Sequence, residues 1–431
     1  MDLSTVRRGP PKLSLKQTAA AAVVPLALAA LLRWRRTSGT NAGTCLFFLE
    51  LVVVLALLGA ACGGDGGSEV SPGPTSEASV TPSLTPFASP VAASGKIAFI
   101  DLEGNLALIS PDGSGQEVLT EGGGVKGFRW SPDGSLIALE GGEGAGFGLR
   151  VSGVDGEVLF ELEDGSSPVW SPQGDRLAVS QGSTIAVYDK AGAKVREIAD
   201  AQGAAWSPNE RTLAFLRPEG DGGSGVPLLA DVATGSESPL SEEIEPHDLV
   251  YSIAWHPDGS AIAYRDGIYE VASGQKADLP GVPVRWSPDG RLLMVTLETD
   301  PESNSTPAHL LDLAQGKAVI GLDVRPSADG TPPWLYVQRW TDFSPNSRFL
   351  IYLDPLPYRL RARIYDTIAL RQYKYPDIRG QAPSASPDNA HVVFMDAGKV
   401  WVMVLDGSAL KDIAQGSQPS WQPSGQPAGV P

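Results

Sequence analysis

The sequence predicts an all-β chain folded as a single β-propeller of four-stranded blades, eight of them, with seven as the alternative. Three observations predict it. A phrase built on Trp-Ser-Pro-Asp-Gly recurs from residue 130 to residue 425, at intervals near the length of one blade. A β-rich apolar run follows nearly every copy. The two ends of the repeat region are complementary, the last copy supplying what the first repeat lacks.

The phrase begins at Trp130, Trp170, Trp206, Trp255 and Trp286, with degenerate copies at Phe343, Ala385 and Trp421. Successive anchors are 40, 36, 49, 31, 57, 42 and 36 residues apart. The 57-residue interval holds the polar stretch 300–308 and the proline-rich stretch 326–333, and reads as one blade with insertions. Within the phrase, proline presets φ for a turn, Asp or Asn favours the next position, and glycine takes the positive φ that reverses the chain. Strand-forming runs then follow, such as Leu136 to Leu139, Ile262 to Tyr264 and Phe349 to Tyr352. The anchor aromatics are expected in the core, where burying about 200 Å² of ring at about 25 cal/mol per Å² contributes at most about 5 kcal/mol.

The first repeat, Gly95 to Ile100, has an apolar run but no phrase before it, whereas almost no chain follows Trp421. The C-terminal strand is therefore expected to join the N-terminal blade, closing the ring and removing open sheet edges. That assigns residues 95–425 to the propeller and 426–431 to a tail.

Composition agrees. The chain has 49 Gly and 36 Pro yet is 42% hydrophobic, which suits many short strands and turns around a large core. Its two cysteines, Cys45 and Cys62, precede the repeats, so the propeller has no disulfide, no cysteine nucleophile and no cysteine zinc site. Formal charge is −17 overall, and residues 95–431 carry 26 Lys and Arg against 45 Asp and Glu. That balance speaks against nucleic acid as a partner.

Residues 1–61 read as a signal region. The short apolar run 46–61 follows Arg33, Arg35 and Arg36 and ends in small residues before Cys62. A second apolar stretch, 18–32, reflects either an over-extended start or an additional membrane segment. Leu58-Gly59-Ala60-Ala61-Cys62 resembles the bacterial lipobox, although glycine stands where that motif has a large aliphatic residue. The resemblance implies a lipidated Cys62 and a membrane-lipid partner, with a plain transmembrane anchor as the alternative. Residues 63–94, rich in Gly, Ser, Thr and Pro, lack the apolar side chains that offset ordering entropy and are expected to form a disordered tether.

The phrase, the strand after it and the segment Leu106 to Thr120 resemble the WD-repeat-like repeats of TolB-type propellers. The resemblance covers about residues 95–425 and implies the fold and an envelope or periplasmic location. It leaves activity open, since such propellers also occur in prolyl oligopeptidases and carbohydrate-active proteins. A prolyl oligopeptidase needs a Gly-x-Ser-x-Gly elbow, which is absent from this sequence. TolB carries a separate N-terminal α/β domain, and here the tether occupies its place.

The four histidines, His247, His256, His309 and His391, are widely separated and form no paired ligand motif. No metal or cofactor is expected. Candidate funnel-face residues flank the expected inner strands: Arg129, His247, Tyr251, Arg285, Arg339 and Trp340, with interblade ion pairs and packing as the simpler role for them. The expected function is a membrane-anchored binding scaffold for an envelope protein or a small ligand, not an enzyme. The alternative is a hydrolase or lyase acting on extracellular carbohydrate or peptide at the central funnel.

Overall fold

The computed structural model describes residues 95–142, 148–219, 224–241, 247–248, 253–265, 267–297, 306–324, 341–356, 359–372, 381–405 and 409–425. The expectations for the signal region, Cys62, the tether and the tail lie outside these residues.

The described residues form eight antiparallel sheets arranged as a β-propeller, each a four-stranded blade, with the short strand His247–Asp248 added to the fourth. Blade 1 combines Ile97–Ile100, Leu106–Ile109 and Glu117–Val118 with the C-terminal strand Ser417–Trp421. The other inner strands are Val125–Trp130, Ser166–Trp170, Gln202–Trp206, Ile253–Trp255, Val282–Trp286, Asp342–Phe343 and Gln381–Ala385, in blades 2 to 8. The long interval after Trp286 is a single blade, as expected. Its second, third and fourth strands are Leu292–Thr296, Thr306–Asp312 and Lys317–Val324.

The ring closes where the sequence places the closure. Ile97 pairs with Trp421, Ala98 with Ser420 and Ile100 with Ser417. Gln422 extends this clasp: its N–H donates to Lys96 O (2.8 Å), its Oε1 accepts from Lys96 N–H (3.2 Å), and its Nε2 donates to Gly134 O in blade 2 (2.8 Å).

The core is divided among the seams between blades. Eight apolar clusters each join two neighbouring blades, from Ile100, Leu106, Trp130 and Ile137 between blades 1 and 2 to Phe99, Val393, Val402 and Trp421 between blades 8 and 1. A second strand must therefore bury both faces. Ile97 and Phe99 turn toward blade 8 while Ala98 and Ile100 turn toward blade 2. This is why these runs read as continuous apolar stretches, without the alternation of a half-exposed strand.

The turn after each inner strand is built around the serine of the phrase. Ser131, Ser171, Ser287, Ser344 and Ser386 are wholly buried. In blade 6, Ser287 Oγ donates to Asp289 Oδ1 (2.6 Å) and accepts from Leu292 N–H (2.9 Å), while Gly290 N–H closes the turn on Ser287 O (2.8 Å). The same serine acceptor recurs at Leu136, Arg176, Thr212, Phe349 and His391. These serines are turn hubs.

Three copies replace the turn glycine, and each substitute ties its blade to the one before. Glu210, Ser347 and Asn389 all keep positive φ (59°, 60° and 58°). Glu210 accepts from Gln173 N–H, Ser347 Oγ from Asp289 N–H (2.9 Å) and Asn389 Oδ1 from Asn346 N–H (2.9 Å). An interblade hydrogen bond offsets the left-handed backbone in each case. Ser347→Ala, which keeps the strain and loses the bond, is expected to destabilise by about 1–3 kcal/mol. Ser347→Gly relieves the strain as it loses the bond, and is expected to change stability by under about 1 kcal/mol. Urea unfolding of the two variants checks that order.

Candidate binding site at the propeller axis

The inner strands set the axis. Each anchor aromatic turns into the seam with the preceding blade, and five of them close a ring of hydrogen bonds there. The indole N–H of Trp130 donates to Ser420 O (3.4 Å), Trp170 to Arg129 O (3.2 Å), Trp206 to Val169 O (3.0 Å), Trp255 to Ala205 O (3.1 Å) and Trp286 to Ala254 O (3.1 Å). The acceptor is always the residue just before the preceding anchor. Phe343 and Ala385 have no indole N–H to offer, so the pattern stops at blades 7 and 8. Trp421 Nε1 is buried without a partner.

The residue before each anchor alternates to the opposite side and stays partly or fully open to solvent. On an innermost strand that side looks toward the following blade: Val169, Ala205 and Ala254 pack against the seam clusters there, and Arg285 reaches Asp342 of blade 7. Eight residues form this ring in blade order 1 to 8: Ser420, Arg129, Val169, Ala205, Ala254, Arg285, Asp342 and Ser384. Blades 6, 7, 8, 1 and 2 contribute a continuous polar arc, and blades 3, 4 and 5 an arc of small apolar side chains. Two of the eight are arginines and one is an aspartate, in a chain of formal charge −17.

Arg285 Nη1 donates to Asp342 Oδ1 at 2.9 Å, with Arg285 half exposed and Asp342 one third exposed (50% and 32%). Asp342 also takes the N–H of Phe343 (3.0 Å) and that of Ala385 in blade 8. It thus spans two of the three seams that lack an indole bond, those between blades 6 and 7 and between blades 7 and 8. Arg285 and the neighbouring main chain crowd Asp342, whose side chain is one third exposed. That crowding pushes its carboxyl above the ordinary carboxylate range, against the opposing pull of Arg285 and the two N–H groups.

Arg129 stands on blade 2, four blades from Arg285 and so on the opposite wall, and its Nη1 donates to Phe128 O (3.2 Å). Beside the apolar arc a recess of about 380 Å³ opens between blades 3 and 4, lined by Ser167, Val169, Ser180, Gln202 and Gly203 among others. It exists because these inner-strand side chains are small. Both strands carry a β-bulge here, with Ser167 (φ 50°) and Gly203 (φ 66°) at the irregular position, and bulges of this kind re-aim side chains.

Of the funnel-face candidates, Arg129 and Arg285 both lie on inner strands, each just before its anchor, in blades 2 and 6. His247 does not lie on an inner strand: the strand His247–Asp248 pairs with Ser224–Asp231, the third strand of blade 4. Tyr251, Arg339 and Trp340 lie outside the described residues. Sequence reasoning missed Asp342, Ser384 and Ser420. Reading the position before the anchor in all eight copies would have found them.

The remaining histidines belong to blade walls and turns. His256 replaces a turn serine, with Nδ1 2.6 Å from Asp258 Oδ1, Nε2 3.1 Å from Gly290 O and its ring edge-on to Trp286. His391 is buried at the start of the second strand of blade 8, and His309 lies in the third strand of blade 6. Among the described residues no three His, Cys, Asp or Glu side chains group as metal ligands.

No family model matches the chain, and no curated protein matches it. Among solved structures it is similar to a eukaryotic initiation factor (12% identity, 77% of this chain and 98% of that one, TM-score 0.49). It is also similar to TolB from Acinetobacter baumannii (14% identity, 68% of this chain and 81% of that one, TM-score 0.33). A third similarity is to a putative TolB from Agrobacterium tumefaciens (16% identity, 62% of this chain and 90% of that one, TM-score 0.34). The propeller assignment stands on the strand pairing itself, and none of these similarities bears on activity.

Proposed function

We propose that the chain is an extracytoplasmic, membrane-anchored binding scaffold: a rigid propeller head carried on a tether from a lipidated Cys62. The observation that carries the binding role is the partly open run of polar residues before the anchors of blades 6, 7, 8, 1 and 2, in which Arg285 and Asp342 hold one another across their seam. A pre-positioned ring of this kind presents few groups whose freedom must be lost on binding, the condition for a recognition surface. The N-terminal layout of arginines, apolar run, small residues and cysteine supports the anchor.

Mass spectrometry of the mature protein tests the anchor. A chain beginning at a diacylated Cys62 is the expected result, and an intact chain beginning upstream of residue 46 overturns it. Cross-linking and pull-down from membranes tests the scaffold role. A constant envelope partner supports it, and a head recovered alone across cross-linkers of several lengths counts against it.

A further inference from the structure

The fourth strand of each blade stands at the end of its sheet, with main-chain N–H and C=O groups turned away from the third. Proteins keep such edges from pairing by making them very short or by placing Lys or Pro on them. Seven blades do so. In blades 1 and 7 the strand is two residues long, Glu117–Val118 and Arg371–Gln372. In blades 4 and 5 it is three residues long and includes Pro239 and Lys276. Blades 3, 6 and 8 carry Lys194, Lys317 and Lys411 on theirs. Blade 2 has neither guard. Its fourth strand, Val158–Leu162, reads Val-Leu-Phe-Glu-Leu and pairs, among the described residues, with Leu149–Gly153 alone.

This edge is firmly held and apolar. Phe160 and Leu162 pack into the seam with blade 3, where Phe160 stacks on Tyr188 with ring centroids 6.1 Å apart. Leu159 stands unopposed at a β-bulge, and it and Val158 are both open to solvent (40% and 44%). Bulges of this kind recur on the fourth strands of blades 3, 6 and 8, so the bulge is not what sets blade 2 apart. An incoming strand meets a template that is already ordered, which lowers the entropy lost on binding.

Charge selects the partner. Residues 155–164 hold Asp155, Glu157, Glu161, Glu163 and Asp164 and no Lys or Arg. All five are exposed, and Glu161 is paired with Arg150 of the third strand. A second copy added antiparallel about Phe160 sets Glu157 against Glu163, and like charges placed opposite one another destabilise a strand pair. A basic strand meets the opposite situation on every flank.

We infer that the outer edge of blade 2 takes up an extended, basic segment of a partner protein as a fifth strand. The segment's main chain pairs with Val158–Leu162, its apolar side chains lie on Val158 and Leu159, and its Lys or Arg side chains reach the flanking acids. The site is separate from the residues before the anchors. It names a partner class for the scaffold and rests on that reading only for the head being a binding module, so Cys62 and membrane partners are read out separately.

Two fluorescent octapeptides, one alternating valine with lysine and one alternating valine with glutamate, test the inference when titrated into the purified full chain at low salt. Anisotropy and amide hydrogen exchange are the readouts. The lysine peptide is expected to bind saturably and 1:1, about tenfold or more tightly than the glutamate peptide, and to slow exchange within residues 157–163. Methylating alternate backbone nitrogens of the lysine peptide is expected to abolish binding, whereas attraction between side chains alone leaves it intact. Leu159→Lys gives blade 2 the guard its neighbours have, and is expected to weaken binding about tenfold with the urea midpoint unchanged. Glu157→Gln combined with Glu163→Gln provides a second arm, expected to weaken binding severalfold, and Val195→Lys on blade 3 is expected to leave it unchanged. Absence of saturable binding, equal binding of the two peptides, full binding of the methylated peptide, or protection confined to another blade overturns the inference. So does full binding by both edge variants, or a dimer of the free chain held through residues 158–162, which makes a second copy the occupant.

Discussion

Deleting residues 417–431 is expected to abolish the single cooperative unfolding transition of the head. The deletion removes the inner strand of blade 1, leaving Ile97–Ile100 as an open edge. It also removes Trp421 from the cluster of Ile97, Phe99, Ala107, Ile109, Val393, Val400 and Val402, and the Gln422 bonds that join blade 1 to blade 2. Two seams lose partners at once, and seams are the only core this chain has among the described residues. Increased binding of a hydrophobic dye and a broadened urea transition are the expected readouts, with aggregation through the exposed edge. A synthetic peptide spanning 414–425 should restore part of the transition when added in trans. An unchanged midpoint and slope in the truncated chain would show that the closure contributes little.

Trp170→Ala is expected to cost about 3–5 kcal/mol, the range for removing a large buried aromatic. The ring packs between Leu149 and Val151 of blade 2 and Leu177 and Val179 of blade 3, and its N–H satisfies Arg129 O. Trp170→Phe separates the two contributions. It keeps most of the packing and loses the indole bond, for an expected loss of about 1 kcal/mol beyond the change in ring size. Trp421→Phe provides the comparison, since the indole N–H of Trp421 has no acceptor and its removal relieves an unsatisfied buried donor. Chemical denaturation of the three variants should therefore rank Trp170→Ala far below Trp170→Phe, with Trp421→Phe the most stable.

The carbonyl acceptors of the indole bonds bear on the axial site as well. Arg129 and Val169 each offer a main-chain oxygen to the following blade's tryptophan while their side chains stay partly open to solvent. Packing in the seams and side-chain placement at the axis are thus two sides of the same strand. A seam mutation that shifts an inner strand is expected to move the ring, which makes Trp170→Ala a poor control for ligand binding and Ser347→Gly, at the turn face, a better one.

The sequence by itself determined the repeat, the turn after every anchor, the burial of the aromatic wedge and the closure by the last strand. These depend on chemistry within a few residues: proline and glycine dihedrals, an Asx acceptor, and apolar runs that recur with a blade's period. That the second strands bury both faces came from the structure, where their alternate residues enter different seams. The tertiary structure decided which residues meet across a seam. Arg285 and Asp342 are 57 residues apart. They meet because blades 6 and 7 are neighbours in the ring, whatever the insertion between them. It decided as well that Asp342 bridges the seams left open by Phe343 and Ala385, and that His247 pairs on the third strand of its blade. No local signal encodes either outcome, because each depends on what a neighbouring blade fails or happens to supply.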